Sequence, residues 1–208
     1  MNDHSFIFAF NMRVRDENKI AAIKENAIEL MVEDGLDGFS IQKLAKKAGV
    51  SPATIYIYFK DKEDLIVQLS IELTYRMLDM SLHGFDPKMD FAEGMRLQWK
   101  NRAAHCMKHP KEIAFIEHIR YSPLYEKTKA EMTARFKEVM GQFVQNAIKK
   151  KQLNKLPFEV YWSVAFAPLY QLIKFHGQGK SHFRDDSFAL TNKLLMQTCD
   201  LVIKALTP

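Results

Sequence analysis

Between Ser40 and Lys62 lies the densest set of side chains able to bind something other than the chain itself. Lys43 and Lys62 are cations. Tyr56 and Tyr58 carry hydroxyls two residues apart, Gln42 and Thr54 can both donate and accept, and Ala53 is small. Ammonium and phenol groups arrayed along one surface suit the oxygens of a polyanion such as a phosphate backbone. A glutamine can pair bidentately with adenine, and an alanine methyl can meet a thymine methyl. The full candidate contact set is Ser40, Gln42, Lys43, Ser51, Pro52, Ala53, Thr54, Tyr56, Tyr58 and Lys62.

Such groups need short, rigid elements to aim them, and the flanking residues supply the signals. Ser40 is a helix N-cap, since its hydroxyl can accept from an amide one turn on. Ile41, Leu44, Ala45 and Ala48 then recur at helical spacing and form a buried face, with Lys43, Lys46 and Lys47 largely off it. Gly49 stands where a helix end calls for a left-handed residue. Ser51-Pro52 opens a second helix, because proline at the first helical position loses no hydrogen bond. Ile55 and Phe59 turn inward from it. The spacing predicts a helix-turn-helix, a device that lays its second helix in the major groove of DNA.

From Phe39 to Leu65 the chain resembles the DNA-binding signature of the TetR family of bacterial transcriptional regulators. The residues that carry the likeness are Ser40, Leu44-Ala45, Ala48-Gly49-Val50-Ser51, Ile55-Tyr56, Tyr58-Phe59 and Lys62-Glu63-Asp64-Leu65. Ala53 stands where the family often has glycine, and Tyr58 where it often has histidine. Beyond this segment the likeness extends only to helix layout. It implies a homodimeric repressor that binds a palindromic operator and is released by a small apolar or amphipathic inducer held among the later helices. The alternative is a DNA-binding protein of the same fold with no small-molecule ligand, controlled by partner proteins.

The remainder reads as all-α. Residues 1–60 are expected to form the DNA-binding domain, with 1–15 as a flexible arm and a first helix from about Asp16 to Asp34. Residues 61–208 are expected to form a larger helical domain for ligand and dimer contact. Pro110, Pro123 and Pro157 punctuate it, and Pro168 should kink the apolar helix 158–176. Residues 177–186 read as a polar loop and 187–206 as the last helix. A recognition helix of about seven residues is roughly 10 Å long and reads few base pairs, so a second copy is expected, joined through helices 158–176 and 187–206. Leu190, Leu194, Leu201 and Val202 are candidate interface residues. Trp99, Phe115, His118, Tyr121, Phe136, Met140, Phe166 and Tyr170 are candidate lining for the inducer, and each is also compatible with ordinary core.

Composition narrows the class. A 47% hydrophobic share supports a sizeable core, and the net charge of +5 is mild. The basic residues gather from Gly38 to Lys62, where five lysines face Asp61 alone, while the preceding helix is acidic. Cys106 and Cys199 have no metal or redox spacing and suit the reducing cytoplasm. His105 and His109 have a metal-compatible spacing, and Glu117 and His118 are candidate further ligands, but spacing without a full ligand set is weak, so no metal and no cofactor is expected. No hydrolase elbow, glycine-rich phosphate loop or zinc-protease motif occurs, so an enzyme is not expected. No apolar run reaches membrane-spanning length.

Overall fold

The computed structural model describes residues 3–180 and 187–208. Among them are ten helices and no strand: α1 (Asp3–Gly38), α2 (Ile41–Ala48), α3 (Pro52–Tyr58), α4 (Lys62–Ser81), α5 (Phe91–Lys108), α6 (Pro110–Arg120), α7 (Tyr125–Lys149), α8 (Phe158–Ala165), α9 (Ala167–Gln178) and α10 (Asn192–Leu206). None is long and apolar enough to cross a membrane. The chain divides into two compact units. One comprises residues 1–73 and 111–128, the other 74–110 and 129–208.

The first unit is built on the apolar stripe of α1. Ile23, Ala27, Leu30 and Met31 pack with Ile41, Leu44 and Ala45 of α2, Ile55 of α3, and Leu65, Leu69 and Leu73 of α4. Phe115, Ile116 and Ile119 of α6 and Leu124 join the same core. This is why the unit exceeds the expected segment 1–60: α6 brings its buried face from fifty residues further along the chain, and periodicity within a helix does not say which neighbour that face will meet. The backbone of residues 3–15 is helical and continuous with α1, since no proline, glycine or capping pattern near Asp16 stops the helix. Gly35, at φ 67° and ψ −175°, breaks the helical path near the expected end. Only glycine takes that conformation without strain.

In the second unit, Phe91, Met95, Trp99 and Ala103 of α5 meet Met140, Phe143 and Ala147 of α7, Tyr161 and Ala165 of α8, Leu169 of α9 and the inner face of α10. A Cβ placed on Gly94 would come within 2.7 Å of the Phe143 ring, so α5 and α7 touch through that glycine. Pro168 breaks the helix as expected. α8 ends at Ala165, Phe166 takes φ −130° and ψ −24°, and α9 starts afresh. The Trp99 indole donates to the Ala165 carbonyl at 2.9 Å in the last turn of α8. The last helix starts at Asn192 rather than 187, because Thr191 caps it and accepts from Leu194 N at 3.3 Å. Ser187 instead makes an isolated bridge to Lys180. Part of the expected polar loop, residues 181–186, lies outside the described residues.

Candidate nucleic-acid interface

The α2–α3 corner is fixed by its caps. Ser40 Oγ accepts from Lys43 N at 3.2 Å. Gly49, at φ 66° and ψ 30°, closes α2 in the left-handed region that a side chain would oppose. Ser51 Oγ accepts from Thr54 N at 3.1 Å and lies 2.9 Å from Thr54 Oγ1. Ile55 is buried beneath α3, and Phe59 N donates to Ile55 O at 3.0 Å where the helix ends. Seven residues thus hold their orientation through one buried isoleucine and two terminal seals.

The outward surface can then be read residue by residue. Gln42, Lys43, Ser51, Pro52, Ala53 and Tyr56 are exposed, and Ser40, Thr54, Tyr58 and Lys62 are half-buried. Ile57 of α3 is 75% exposed, a large apolar side chain presented to solvent with no intramolecular reason. It belongs with the candidate contacts although it carries no polar group to mark it as one. Its position two residues from both Ile55 and Phe59 places it on the opposite side of the helix, and that spacing is visible in the sequence. Tyr58 packs partly on the core, so only part of it is available to a partner.

Several expected cations are engaged within the protein. Lys43 Nζ reaches Asp34 at 2.6 Å and the Gly38 carbonyl at 2.9 Å. Lys47 Nζ reaches Glu33 at 2.6 Å and Glu29 at 3.6 Å, and the hydrogen bond it donates to Glu33 holds its ammonium above the ordinary lysine range. Lys111 in turn holds the Glu29 carboxyl below its ordinary value. Lys62 Nζ donates to the Leu36 carbonyl at 2.8 Å and lies 5.9 Å from the Phe39 ring centroid. The acidic end of α1 therefore balances part of the basic charge on α2, where a concentrated positive surface had been expected. These are exposed ion pairs, and an ammonium keeps donors for a second acceptor.

The expected inducer residues do not form one group. Phe115, His118 and Tyr121 belong to the first unit: Phe115 is in its core, while His118 and Tyr121 are exposed. Trp99, Met140 and Phe166 are buried in the second unit, with Phe136 and Tyr170 packed against them. The Phe136 ring meets Trp162 edge-on at 5.3 Å and Phe158 at 5.6 Å. The His105 and His109 rings lie 4.9 Å apart. Among the described residues no group of three or more His, Cys, Asp or Glu could hold a metal ion.

A three-helix core that presents a short, doubly capped helix defines a helix-turn-helix protein. Residues 23–69 match the family described as bacterial regulatory proteins, tetR family. A TetR family transcription regulator from Marinobacter aquaeolei has the same fold at TM-score 0.81 and 26% identity, over 94% of this chain and 98% of that one. A TetR-family transcriptional regulator from Haemophilus influenzae matches at TM-score 0.75 and 22% identity, over 92% and 98% of the two chains. In sequence, an HTH-type transcriptional regulator of Haemophilus influenzae is 31% identical over 97 residues, 47% of this chain and 52% of that protein. The fatty acid metabolism regulator protein of Bacillus subtilis is 43% identical over 51 residues, 24% of this chain and 26% of that protein. The chain thus spans about half the length of the first curated relative and a quarter of the second. Residues 23–69 thus carry a segment of the TetR family of bacterial regulatory proteins, and the fold is similar to that of a TetR family transcription regulator over nearly the whole of both chains.

Proposed function

We propose that this protein is a cytoplasmic, homodimeric repressor that binds a palindromic DNA operator and is released by a small molecule held in its second unit. The observation that carries the DNA reading is α3: a capped helix anchored by Ile55 that presents Ala53, Tyr56 and the otherwise unexplained Ile57 to solvent. In the major groove, Ala53 and Ile57 would meet thymine methyls, Gln42 and Thr54 would read base edges, and the tyrosine hydroxyls would fix the phosphates. Lys43 would share its ammonium between Asp34 and a phosphate, with binding weakened by salt as counterion release requires.

Dimerisation is supported by exposed apolar residues on α8 and α10. Phe158, Val160, Leu194 and Leu201 are all exposed, Leu201 at 68%. Leu190 and Val202, also expected at the interface, are instead buried in their own unit. A palindromic site would then receive one α3 from each copy in successive major grooves.

The test is a fluorescence-anisotropy titration on an operator obtained by site selection. Tyr56→Phe and Ile57→Ala should each weaken binding several-fold while the circular dichroism spectrum is kept. Wild-type affinity in both variants would remove α3 from the groove.

A further inference from the structure

We propose that the second unit binds a small organic carboxylate with an apolar body, and that Arg102 is the residue that grips it. The inference rests on the ligand-responsive reading above and names the ligand class. Arg102 of α5 is 1% exposed. A guanidinium is charged at every accessible pH, and a buried charge is tolerated only when something compensates it. Here the protein supplies one neutral partner: Nη1 donates to the Tyr170 hydroxyl at 3.1 Å. Nε and Nη2 have no hydrogen-bond partner. Among the described residues no carboxylate pairs with this arginine. Burial pushes the nearby Tyr161 phenol well above its ordinary value, so that hydroxyl stays neutral and is no counter-anion.

The geometry of the orphaned donors is specific. Tyr170 occupies one end of the guanidinium and leaves the Nε–Nη2 edge, where two N–H bonds run parallel. That edge matches the two oxygens of one carboxylate. One turn earlier on α5, Gln98 is completely buried, and its amide oxygen and nitrogen both lack partners. Its N–H₂ offers a third donor to an acid, and its oxygen an acceptor for any hydroxyl beside it. The surroundings are aromatic. The Phe166 ring centroid lies 4.5 Å and that of Trp162 5.9 Å from Arg102 Cζ. A single cation beside two rings, with an unpartnered amide one turn away on the same helix, suits a monoanion carried on an apolar group. A phosphate dianion would call for further positive charge.

The experiment compares acids with their isosteric amides on the full chain. Benzoate, phenylacetate, octanoate and dodecanoate are titrated beside the four corresponding amides by thermal shift and calorimetry. At least one acid should raise Tm with concentration, as a ligand of the native state must, and should bind roughly ten- to a hundredfold tighter than its amide, the range for a lost charge-assisted bond. Arg102→Gln should erase that preference. Amides that bind as well as acids, no binding by any acid, or undiminished acid binding by a folded Arg102→Gln protein would overturn the proposal. If Arg102→Gln does not fold, the acid–amide comparison on the wild type decides. Operator release, followed in the same samples, separates the two readings. An acid that binds through Arg102 without changing DNA affinity keeps the site and removes the switch. A neutral compound that binds the second unit in preference to every acid and releases DNA keeps the switch and overturns the carboxylate site.

Discussion

The lysines of α2 and the arginine of α5 carry the same formal charge and meet opposite surroundings. In the first unit, charge sits at the surface and is answered by charge: Lys43 by Asp34, Lys47 by Glu33 and Lys127 by Glu63. Exposed pairs of this kind contribute little to stability, because water screens them and long side chains lose freedom on pairing. In the second unit, Arg102 is enclosed by Tyr170, Trp162 and Phe166 and is left without an anion. The first arrangement costs little to open, as the proposed exchange of carboxylates for phosphates would require. The second costs folding energy in the absence of a partner, which fits the ligand proposed for it.

The comparison can be broken in three places. The largest effect is expected under α3. Ile55→Ala should cost about 2–5 kcal/mol in urea unfolding, as buried isoleucine truncations do, whereas Ile57→Ala should stay within about 0.5 kcal/mol, as exposed substitutions do. A similar cost for both would mean that the outward face of α3 is also structural. Next, Arg102→Met should leave the ligand-free protein at least as stable as wild type, and up to about 1–4 kcal/mol more stable, the range seen when buried charge is replaced by apolar volume. A marked loss in the same unfolding assay would show that the arginine is already compensated from within.

The smallest effect is in pH. Burial, with Asp200 adding to it, pushes the Cys199 thiol from 9.0 up to about 12, and Tyr161 shifts in the same direction. An unfolded thiol ionises near 9.0 while the folded one remains protonated. Proton release therefore favours unfolding as pH rises from there toward the folded value, and this group has no effect below it. The urea midpoint should fall progressively through that window, and Cys199→Ala should flatten part of the slope. A midpoint independent of alkaline pH would contradict the burial of both groups.

How much could be read from the sequence divides along the same line. The α2–α3 corner was legible because its determinants are local: Ser40, Gly49 and Ser51-Pro52 act within one turn of themselves. The break at Pro168 was legible for the same reason. The membership of α6 in the first unit was not, because Phe115 and Ile119 announce a buried face without naming its partner. The engagement of Lys43 and Lys62 was hidden in the same way, since Asp34 and Leu36 are distant in spacing terms. The burial of Gln98 and Arg102 is not legible from residue type, because glutamine and arginine are usually solvated. Their alternation with Met95, Trp99 and Ala103 along α5 was the available signal, polar residues standing in the register of an apolar stripe. The helical backbone of residues 3–15 has no such local signal, since no cap marks its start in the sequence.

The contacts around the start of α4 have a mechanical meaning. Lys60 N donates to Asp64 Oδ2 at 2.8 Å, Asp64 N donates to Asp61 Oδ1 at 2.9 Å, and Lys62 is pinned on the Leu36 carbonyl. The three residues that join α3 to the first turn of α4, Phe59, Lys60 and Asp61, therefore have little slack. A joint with such bonds on both sides behaves like a coupling without backlash: rotation of the α4 shaft at Lys62 is transmitted to the α3 corner within the same unit, and none of the stroke is spent in taking up play.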